Sequence, residues 1–226
     1  MKTPINAKTL KQHFAYSKWY YILLVIGLFF FWNLFYTVTE PRTPDDQKVD
    51  IYIYGFAQQE QLETYMEGIH QSKMPEMKEI NCLYVTPDES SGPMVLSTHV
   101  AAGEGNLFML PRDLFQSYAA QGMFVSLDDM DGIVDMCEQA GLNIERGWRK
   151  NQETGERHLY GIPVNTMKTL GSMVYSSGEL YISMRDYNTN PDYSELMLRT
   201  ILEDAFSEGA ETAVEPVPSA EPESQP

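Results

Sequence analysis

The sequence predicts an α/β domain with a mostly parallel sheet flanked by helices, preceded by one transmembrane helix. An uncharged apolar run at residues 19–38 predicts the transmembrane helix, because about 20 residues rising 1.5 Å each span the roughly 30 Å hydrocarbon layer. The rest of the chain predicts the α/β domain, since β-branched and aromatic runs alternate there with segments of helical apolar spacing. About 160 of these residues suffice for one domain core, and there is no room for two full domains.

Charged residues on either side of the apolar run predict its orientation. Residues 1–18 carry four lysines and no acidic residue, whereas residues 39–50 carry two basic and four acidic residues. The excess of basic residues marks the cytoplasmic side, so the domain is predicted to lie outside the cell. A cleaved signal peptide is the alternative. The run exceeds the usual apolar core of about 7–15 residues and no small-x-small cleavage site follows, which favours an uncleaved, single-pass signal anchor in the cell membrane.

The first elements of the domain follow from apolar spacing and from the residues that end each run. Residues 39–48 (TEPRTPDDQK) form a stalk bearing prolines and charges. Residues 49–56 (VDIYIYGF) are typical of a buried strand that stops at Gly55, and residues 58–72 carry apolar side chains at helical spacing. The same reasoning predicts a strand at 80–85, a helix at 94–102, a strand at 107–110 and a helix at 111–120 opened by Pro111.

The second half of the domain is predicted in the same way. It holds an extended piece at 123–127, a helix capped by Asp128 or Asp129 and ending at Gly141, strands at 157–164, 172–175 and 180–186, and a closing helix at 192–206. The α/β domain therefore spans residues 49–206. Residues 207–226 contain five Glu, four Pro and no basic or aromatic residue, which predicts a disordered, acidic, Pro-rich tail.

Charge and cysteine content limit the classes of function. Residues 39–226 hold 12 Lys and Arg and all 32 Asp and Glu, a net charge of −20. This charge repels phosphate backbones, so nucleic-acid binding is excluded. Cys82 and Cys137 are the only cysteines. A single disulfide is one interpretation in an extracellular domain, and two buried free thiols are the interpretation that their apolar surroundings favour.

Three segments, in this order, resemble the first lobe of extracellular solute-binding proteins, which have the type 2 periplasmic-binding fold. They are residues 101–108 (AAGEGNLF), residues 121–129 (QGMFVSLDD) and residues 160–164 (YGIPV). The resemblance covers about residues 48–206 and implies a module that binds a solute without catalysis. The chain ends about where a second lobe would begin, so we expect one lobe tethered by a helix. That expectation puts capture of a solute between two lobes in doubt.

Ligands of open α/β sheets bind beyond the carboxyl ends of the strands, and the predicted strands place two groups of residues there. Phe56, Gln58 and Gln59 follow the first strand, and Arg112 and Asp113 follow the third. Gln and aromatic side chains suit a small neutral polar solute such as a sugar. The alternative is that the two Gln residues open a helix on a solvated rim. Arg112 could pair with Asp113, Asp128 or a ligand carboxylate, or form a surface ion pair.

Other motifs give no catalytic, cofactor or metal site. Residues 128–132 (DDMDG) fail the EF-hand spacing, and helix capping accounts for these acids. The four His residues show no i,i+4 pair and no nearby Cys, so no zinc site is predicted. Residues 90–92 (SSG) lack the nucleophile-elbow pattern, and no carboxylate pair stands out as an acid/base couple. Residues 103–105 (GEG) are interpreted as a tight helix-to-strand turn.

The sequence leaves two functional hypotheses. The first is a non-catalytic, membrane-anchored module outside the cell that contacts a solute or protein partner at the strand ends, as an accessory to a transporter. The second is a structural or assembly subunit of a membrane complex, in which the domain docks a permease or another envelope protein. Exposed Tyr, Phe and Met side chains on the folded domain would favour protein docking.

Overall fold

A computed structural model describes residues 7–39, 43–88, 91–152, 154–176 and 178–212, and the side chains of 18–39 and 43–205 within these ranges. The chain forms two compact units, residues 1–42 and residues 43–226. In the first, helix α1 spans Ala7–Thr39. Its segment Lys18–Thr39 has a mean hydropathy of 2.0 and is long and apolar enough to cross a membrane. Most of the predicted tail, residues 213–226, lies outside the described residues.

The second unit contains nine strands and six helices among its described residues. The strands are β1 (Lys48–Tyr54), β2 (Phe56–Ala57), β3 (Glu79–Val85), β4 (Leu107–Pro111), β5 (Trp148–Lys150), β6 (Arg157–Leu159), β7 (Ile162–Pro163), β8 (Val174–Tyr175) and β9 (Leu180–Met184). The helices are α2 (Gln59–Lys73), α3 (Gly92–Ala101), α4 (Arg112–Ala120), α5 (Ile133–Gln139), α6 (Lys168–Met173) and α7 (Pro191–Thr212). Short 3-10 turns lie at Asp45–Gln47, Leu127–Asp129 and Glu145–Gly147.

The main sheet has five strands in the order β3-β1-β4-β9-β7. Strand β1 pairs in parallel with β3 on one side and with β4 on the other, with Ile51 opposite both Cys82 and Leu107. Strand β9 is antiparallel to both β4 and β7, so four of the five strands run in one direction. The predicted mostly parallel sheet is therefore confirmed. The carboxyl ends of those four strands lie at one edge, which we call the strand-end edge.

The sheet is covered on both faces, as the near-continuous apolar character of its strands requires. On one face, Val49, Ile51 and Ile53 pack with apolar residues of α2, α5, α6 and α7. On the other face, Tyr52 and Tyr54 pack with residues of α3 and α4. Alternate residues of β1 thus pack into the core on opposite faces of the sheet.

Several predicted elements differ from the observed ones. The predicted strand at 157–164 is two strands, because β6 pairs with β5 in a separate ribbon while β7 joins the main sheet. The predicted strand at 172–175 is the end of α6 followed by β8, which pairs with β2. Strand β5 and helix α6 were not predicted. The closing helix continues to Thr212, six residues beyond its predicted end.

The predicted helix cap at Asp128 or Asp129 is wrong. Helix α5 begins at Ile133, and the residue before it is Gly132, with a φ of 76° and no side-chain capping bond. Asp128 instead accepts a hydrogen bond at Oδ1 from the backbone N–H of Leu159 (2.8 Å) and lies beside His158. The carboxylate therefore joins the Leu127–Asp129 turn to β6 instead of stabilising a helix end.

Both cysteines are free, and Cys137 is buried whereas Cys82 is half-buried. Cys82 lies in β3 and Cys137 in α5. The interpretation as free thiols agrees with the structure, although Cys82 is less enclosed than predicted because β3 is the edge strand of the main sheet.

Candidate functional site

The strand-end edge collects the residues that follow β1 and β4 together with the chain segment that leads into β9. Strand β9 begins at this edge because it runs opposite to its neighbours. The described residues before it, 172–176 and 178–179, therefore lie close to both groups of predicted site residues.

An exposed aromatic pair lies at the end of β1. Phe56 in β2 pairs with Tyr175 in β8, and their rings stack with centroids 5.7 Å apart and planes inclined by 23°. Phe56 is 49% exposed and Tyr175 is 51% exposed. The backbone approach is close, because a Cβ on Gly55 would lie 2.8 Å from the Tyr175 carbonyl oxygen. Glycine thus permits the turn that presents the two rings to solvent.

The two predicted glutamines have different surroundings. Gln58 donates from Nε2 to the Ser172 carbonyl oxygen (3.0 Å), and its backbone N–H donates to the Met173 carbonyl oxygen (2.8 Å). It therefore holds the start of α2 against the end of α6. Gln59 is exposed in the first turn of α2. Gln58 thus positions the start of α2 and also lies on the rim of the strand-end edge. Gln59 lies on the same rim, exposed to solvent.

Arg112 and Asp113 open helix α4 directly after β4. With its amide oxygen turned toward them, Gln116 accepts hydrogen bonds from Arg112 Nε (2.9 Å) and Arg149 Nη2 (2.7 Å). Arg112 thus uses an amide and does not form the expected pair with Asp113 or Asp128. Asp113 is exposed in the first turn, where a negative charge is favourable to the helix dipole.

Glu179 links the start of α4 to the segment that leads into β9. Its carbonyl oxygen accepts from the Arg112 backbone N–H (3.2 Å), and its carboxylate accepts from Arg146 Nη1 (2.5 Å) and from the Tyr181 hydroxyl (2.8 Å). The hydrogen bond from Arg146 lowers the pKa of the Glu179 carboxyl, with a further lowering by the Tyr181 hydroxyl. The carboxylate is therefore ionised at neutral pH and fixed at the rim of the edge.

The structure thus brings Phe56, Gln58 and Arg112 to one edge, where they contact residues 172–175 and 179, whereas Gln59 and Asp113 line its solvated rim. Tyr175, Glu179 and Arg146 were missed as site residues. The sequence interpretation placed Tyr175 at the end of a predicted strand, which could have indicated a strand-end position. Glu179 and Arg146 carried no sequence signal, because they join the edge only through the reversed direction of β9 and the turn before β5.

A second feature lies near the other end of β9. A cavity of about 680 Å³ is lined by residues of the 122–130 segment, the β5–β6 ribbon and the residue that follows Arg185: Gly122, Phe124, Val125, Ser126, Asp129, Met130, Asn151, Thr154, Glu156, His158, Tyr160 and Asp186. Phe124 pairs with Arg185 just beyond β9. The cavity is therefore separate from the strand-end edge, and none of its residues was predicted as a site residue.

Comparisons with known proteins give partial structural likenesses. No family model matches the chain, and no curated protein matches it. A family 1 extracellular solute-binding protein from Alicyclobacillus acidocaldarius has a TM-score of 0.41 and 19% identity, and the match covers 54% of this chain and 29% of that one. An ABC substrate-binding protein from Listeria monocytogenes, in complex with cycloalternan, has a TM-score of 0.39 and 17% identity, with 52% and 28% covered.

A third similar structure is an ABC transporter solute-binding protein from Agrobacterium vitis with bound D-mannitol. Its TM-score is 0.37 and its identity 16%, and the match covers 52% of this chain and 27% of that one. The chain thus spans less than a third of the length of each of these proteins. Each of these matches covers about half of this chain.

Proposed function

We propose that this chain is a non-catalytic binding module, anchored in the cell membrane by α1, whose strand-end edge holds a small neutral polar solute such as a sugar. The exposed Phe56–Tyr175 pair carries the proposal. Two stacked rings that are half exposed offer an apolar face to the C–H groups of a sugar ring. The neighbouring Gln58 and Arg112 offer polar groups that could orient its hydroxyls.

The exposure of the Phe56 and Tyr175 rings favours a role in ligand binding over a role in stabilising the fold. Burying both rings fully would stabilise the fold, since aromatic side chains contribute large apolar areas. Both stay about half exposed, so much of their apolar area is free to be covered by a ligand. Aromatic pairs contribute about 0.5–1.5 kcal/mol beyond the area that they bury, and a contact of that size between Phe56 and a sugar ring corresponds to about a 2- to 13-fold change in affinity.

Docking of a protein partner is the second candidate function, and one observation favours it. Met94 and Val95 in the first turn of α3 are 71% and 44% exposed. The start of α3 lies over the ends of β1 and β3, because a Cβ on Gly92 would lie 2.7 Å from both the Tyr54 hydroxyl and the Thr86 carbonyl oxygen. Exposed apolar residues at the same edge as Phe56 and Tyr175 suit a permease or another envelope protein.

The anchoring and orientation are part of the proposal. The lysines of residues 1–18 and the acidic excess beyond the apolar run support a cytoplasmic N-terminus and an extracellular domain. In intact cells, a membrane-impermeant maleimide should label a Thr43→Cys variant, and it should label a Thr9→Cys variant only after permeabilisation. Labelling of Thr9→Cys in intact cells would overturn the orientation.

The solute proposal is tested by the thermal midpoint of the full chain in detergent, measured against a panel of neutral sugars. A sugar present at 100 times its dissociation constant adds about 2.7 kcal/mol to stability, which shifts the midpoint by several degrees. Phe56→Ala should weaken binding of that sugar by about 2- to 13-fold, and Gln59→Ala should weaken it less.

The matched control is Tyr187→Ala. Tyr187 is 91% exposed and follows β9 at the end remote from the strand-end edge, so its removal should leave binding unchanged. Equal binding by the wild type and Phe56→Ala would overturn the site. A cooperatively folded chain that no sugar stabilises would overturn the solute proposal and leave protein docking as the function of this edge.

A further inference from the structure

Three acidic side chains surround one imidazole beside the 680 Å³ cavity. His158 Nδ1 lies 3.0 Å from Asp128 Oδ2 and 3.9 Å from Asp129 Oδ2, and His158 Nε2 lies 3.5 Å from Glu156 Oε2. The donors come from two chain segments, the Leu127–Asp129 turn and β6 with the residue before it. Ligand atoms of Asp128, Asp129 and His158 all lie within 4.8 Å of one another.

We propose that Asp128, Asp129 and His158 form a binding site for a divalent cation of the zinc class, open to the cavity. Zinc binds His nitrogen and carboxylate oxygen at about 2.0–2.2 Å. Two ligand atoms at that distance from one ion are separated by about 2.8–3.1 Å in octahedral geometry and by about 3.3–3.6 Å in tetrahedral geometry. The observed separation of 3.0 Å lies within the octahedral range and a few tenths of an ångström below the tetrahedral one, and the separation of 3.9 Å closes with a rotation of the exposed Asp129 side chain.

The arrangement on the far side of the ring matches that of a metal-bound histidine. A histidine that binds a metal through one nitrogen usually donates the other N–H to a carboxylate, which fixes the tautomer and the ring orientation. Glu156 Oε2 lies on the Nε2 side of His158, while both proposed carboxylate ligands lie on the Nδ1 side. Glu156 is therefore assigned as a positioning residue and not as a ligand.

The charges of the cluster also suit a divalent ion. Three carboxylates face one imidazole, so a protonated His158 neutralises only part of the negative charge. Arg157, the basic neighbour of His158 in sequence, pairs with Glu145 (2.9 Å) and lies over the Trp148 ring. When the cation binds, Nδ1 gives up its proton to solvent and a nitrogen lone pair and two carboxylate oxygens become ligands. The cavity supplies space for water at the remaining positions.

One imidazole nitrogen with two carboxylate oxygens should bind some divalent cations more tightly than others. Imidazole nitrogen suits zinc, copper and nickel, whereas calcium and magnesium prefer oxygen ligands only. Zn²⁺ should therefore bind more tightly than Ca²⁺. This inference is independent of the proposed function, because the strand-end edge and the cavity share no residue named as a site residue.

The experiment is isothermal titration calorimetry of Zn²⁺ into the full chain in detergent, after treatment with EDTA and its removal. The wild type should bind one Zn²⁺ per chain, and Asp129→Asn should bind at least about tenfold more weakly, because even loss of an outer partner weakens metal affinity by about 10–100-fold. Asp129 is exposed, so this variant should retain the wild-type thermal midpoint in EDTA. His158→Gln should lose binding in the same way.

The control is Asp131→Asn, which removes the same charge from the next acidic residue along the chain and should retain wild-type Zn²⁺ affinity. Glu156→Gln should reduce the affinity less than Asp129→Asn does. Failure of the wild type to bind Zn²⁺, equal weakening by Asp131→Asn and Asp129→Asn, or Ca²⁺ binding as tight as that of Zn²⁺ would each overturn the proposal.

Discussion

At the scale of single residues, burial dominates the pKa of both cysteine thiols, although they lie in different elements. Burial raises the pKa of the Cys82 thiol to about 12, with a further contribution from the Glu63 carboxylate. Burial likewise raises the pKa of the Cys137 thiol to about 12, with a smaller contribution from Glu138. Because the thiolate is the reactive form, both thiols should be protonated and unreactive at neutral pH.

The folded chain should therefore react slowly with thiol reagents at mildly alkaline pH. A pKa of about 12 in place of the usual value near 8.5 lowers the thiolate fraction on the order of a thousandfold. Time courses with a chromogenic disulfide should show both thiols unreactive in the native chain and two equivalents released in denaturant. Rapid native reaction of Cys82→Ser would show Cys137 to be accessible, and rapid reaction of Cys137→Ser would show the same for Cys82.

The sequence predicted the candidate site in part. Phe56, Gln58 and Arg112 were found because each follows a buried apolar run, and that rule depends only on local sequence. Tyr175 and Glu179 were not found, since their place at the edge depends on pairing of β8 with β2 and on the direction of β9. The grouping of Asp128 with His158 depends on the β5–β6 ribbon, whose first strand gave no periodic signal.

At the scale of elements, the turn between α3 and β4 shows how backbone freedom and packing act together. Gly103 and Gly105 have φ values of +83° and +89°, which L residues rarely adopt. A Cβ on Gly103 would meet open space, whereas a Cβ on Gly105 would lie 2.5 Å from the Phe108 ring and 2.7 Å from the Tyr52 ring. Both positions need a left-handed backbone, but only Gly105 lies against the core.

Substitution of the two glycines should separate these effects. Gly103→Ala should destabilise the domain by about 1–2 kcal/mol through the left-handed backbone alone. Gly105→Ala should cost about 2–5 kcal/mol, because crowding against two buried aromatic rings adds to the backbone term. Urea unfolding of the full chain in detergent measures both. Equal losses for the two variants would contradict the packing argument.

The elements that the sequence predicted best are three neighbouring strands of the main sheet. Strands β1, β3 and β4 were predicted within one or two residues, because each is a run of β-branched, aromatic or aliphatic residues bounded by Gly or Pro. Strand β5 (Trp148–Lys150) has two basic residues and, within the described part of the chain, pairs with β6 alone, so its sequence lacks that signal. Helix α6 gave a weak helical signal because it contains Gly171. A Cβ at that position would lie 2.7 Å from the Val164 carbonyl oxygen, so packing requires a glycine there.

At the scale of the whole molecule, the chain has a net charge of −16. Its two candidate sites lie at opposite ends of β9 and differ in the groups that they offer to a ligand. The strand-end edge combines an apolar aromatic pair with arginines that are already hydrogen-bonded to Gln116 or Glu179, which suits a neutral ligand. The cavity near the other end of β9 contains carboxylates in excess of basic groups, which suits a cation. The same fold thus offers two ligand environments of different polarity.

Amide hydrogen exchange of the full chain, with and without the sugar that most raises its thermal midpoint, shows directly whether the strand-end edge is the binding surface. Exchange should slow on binding in residues 55–59, 112–116 and 172–176. Exchange should be unchanged in residues 122–130 and 156–160, which border the cavity. Protection confined to the cavity segments would overturn the assignment of the strand-end edge and would place the solute at the other end of β9.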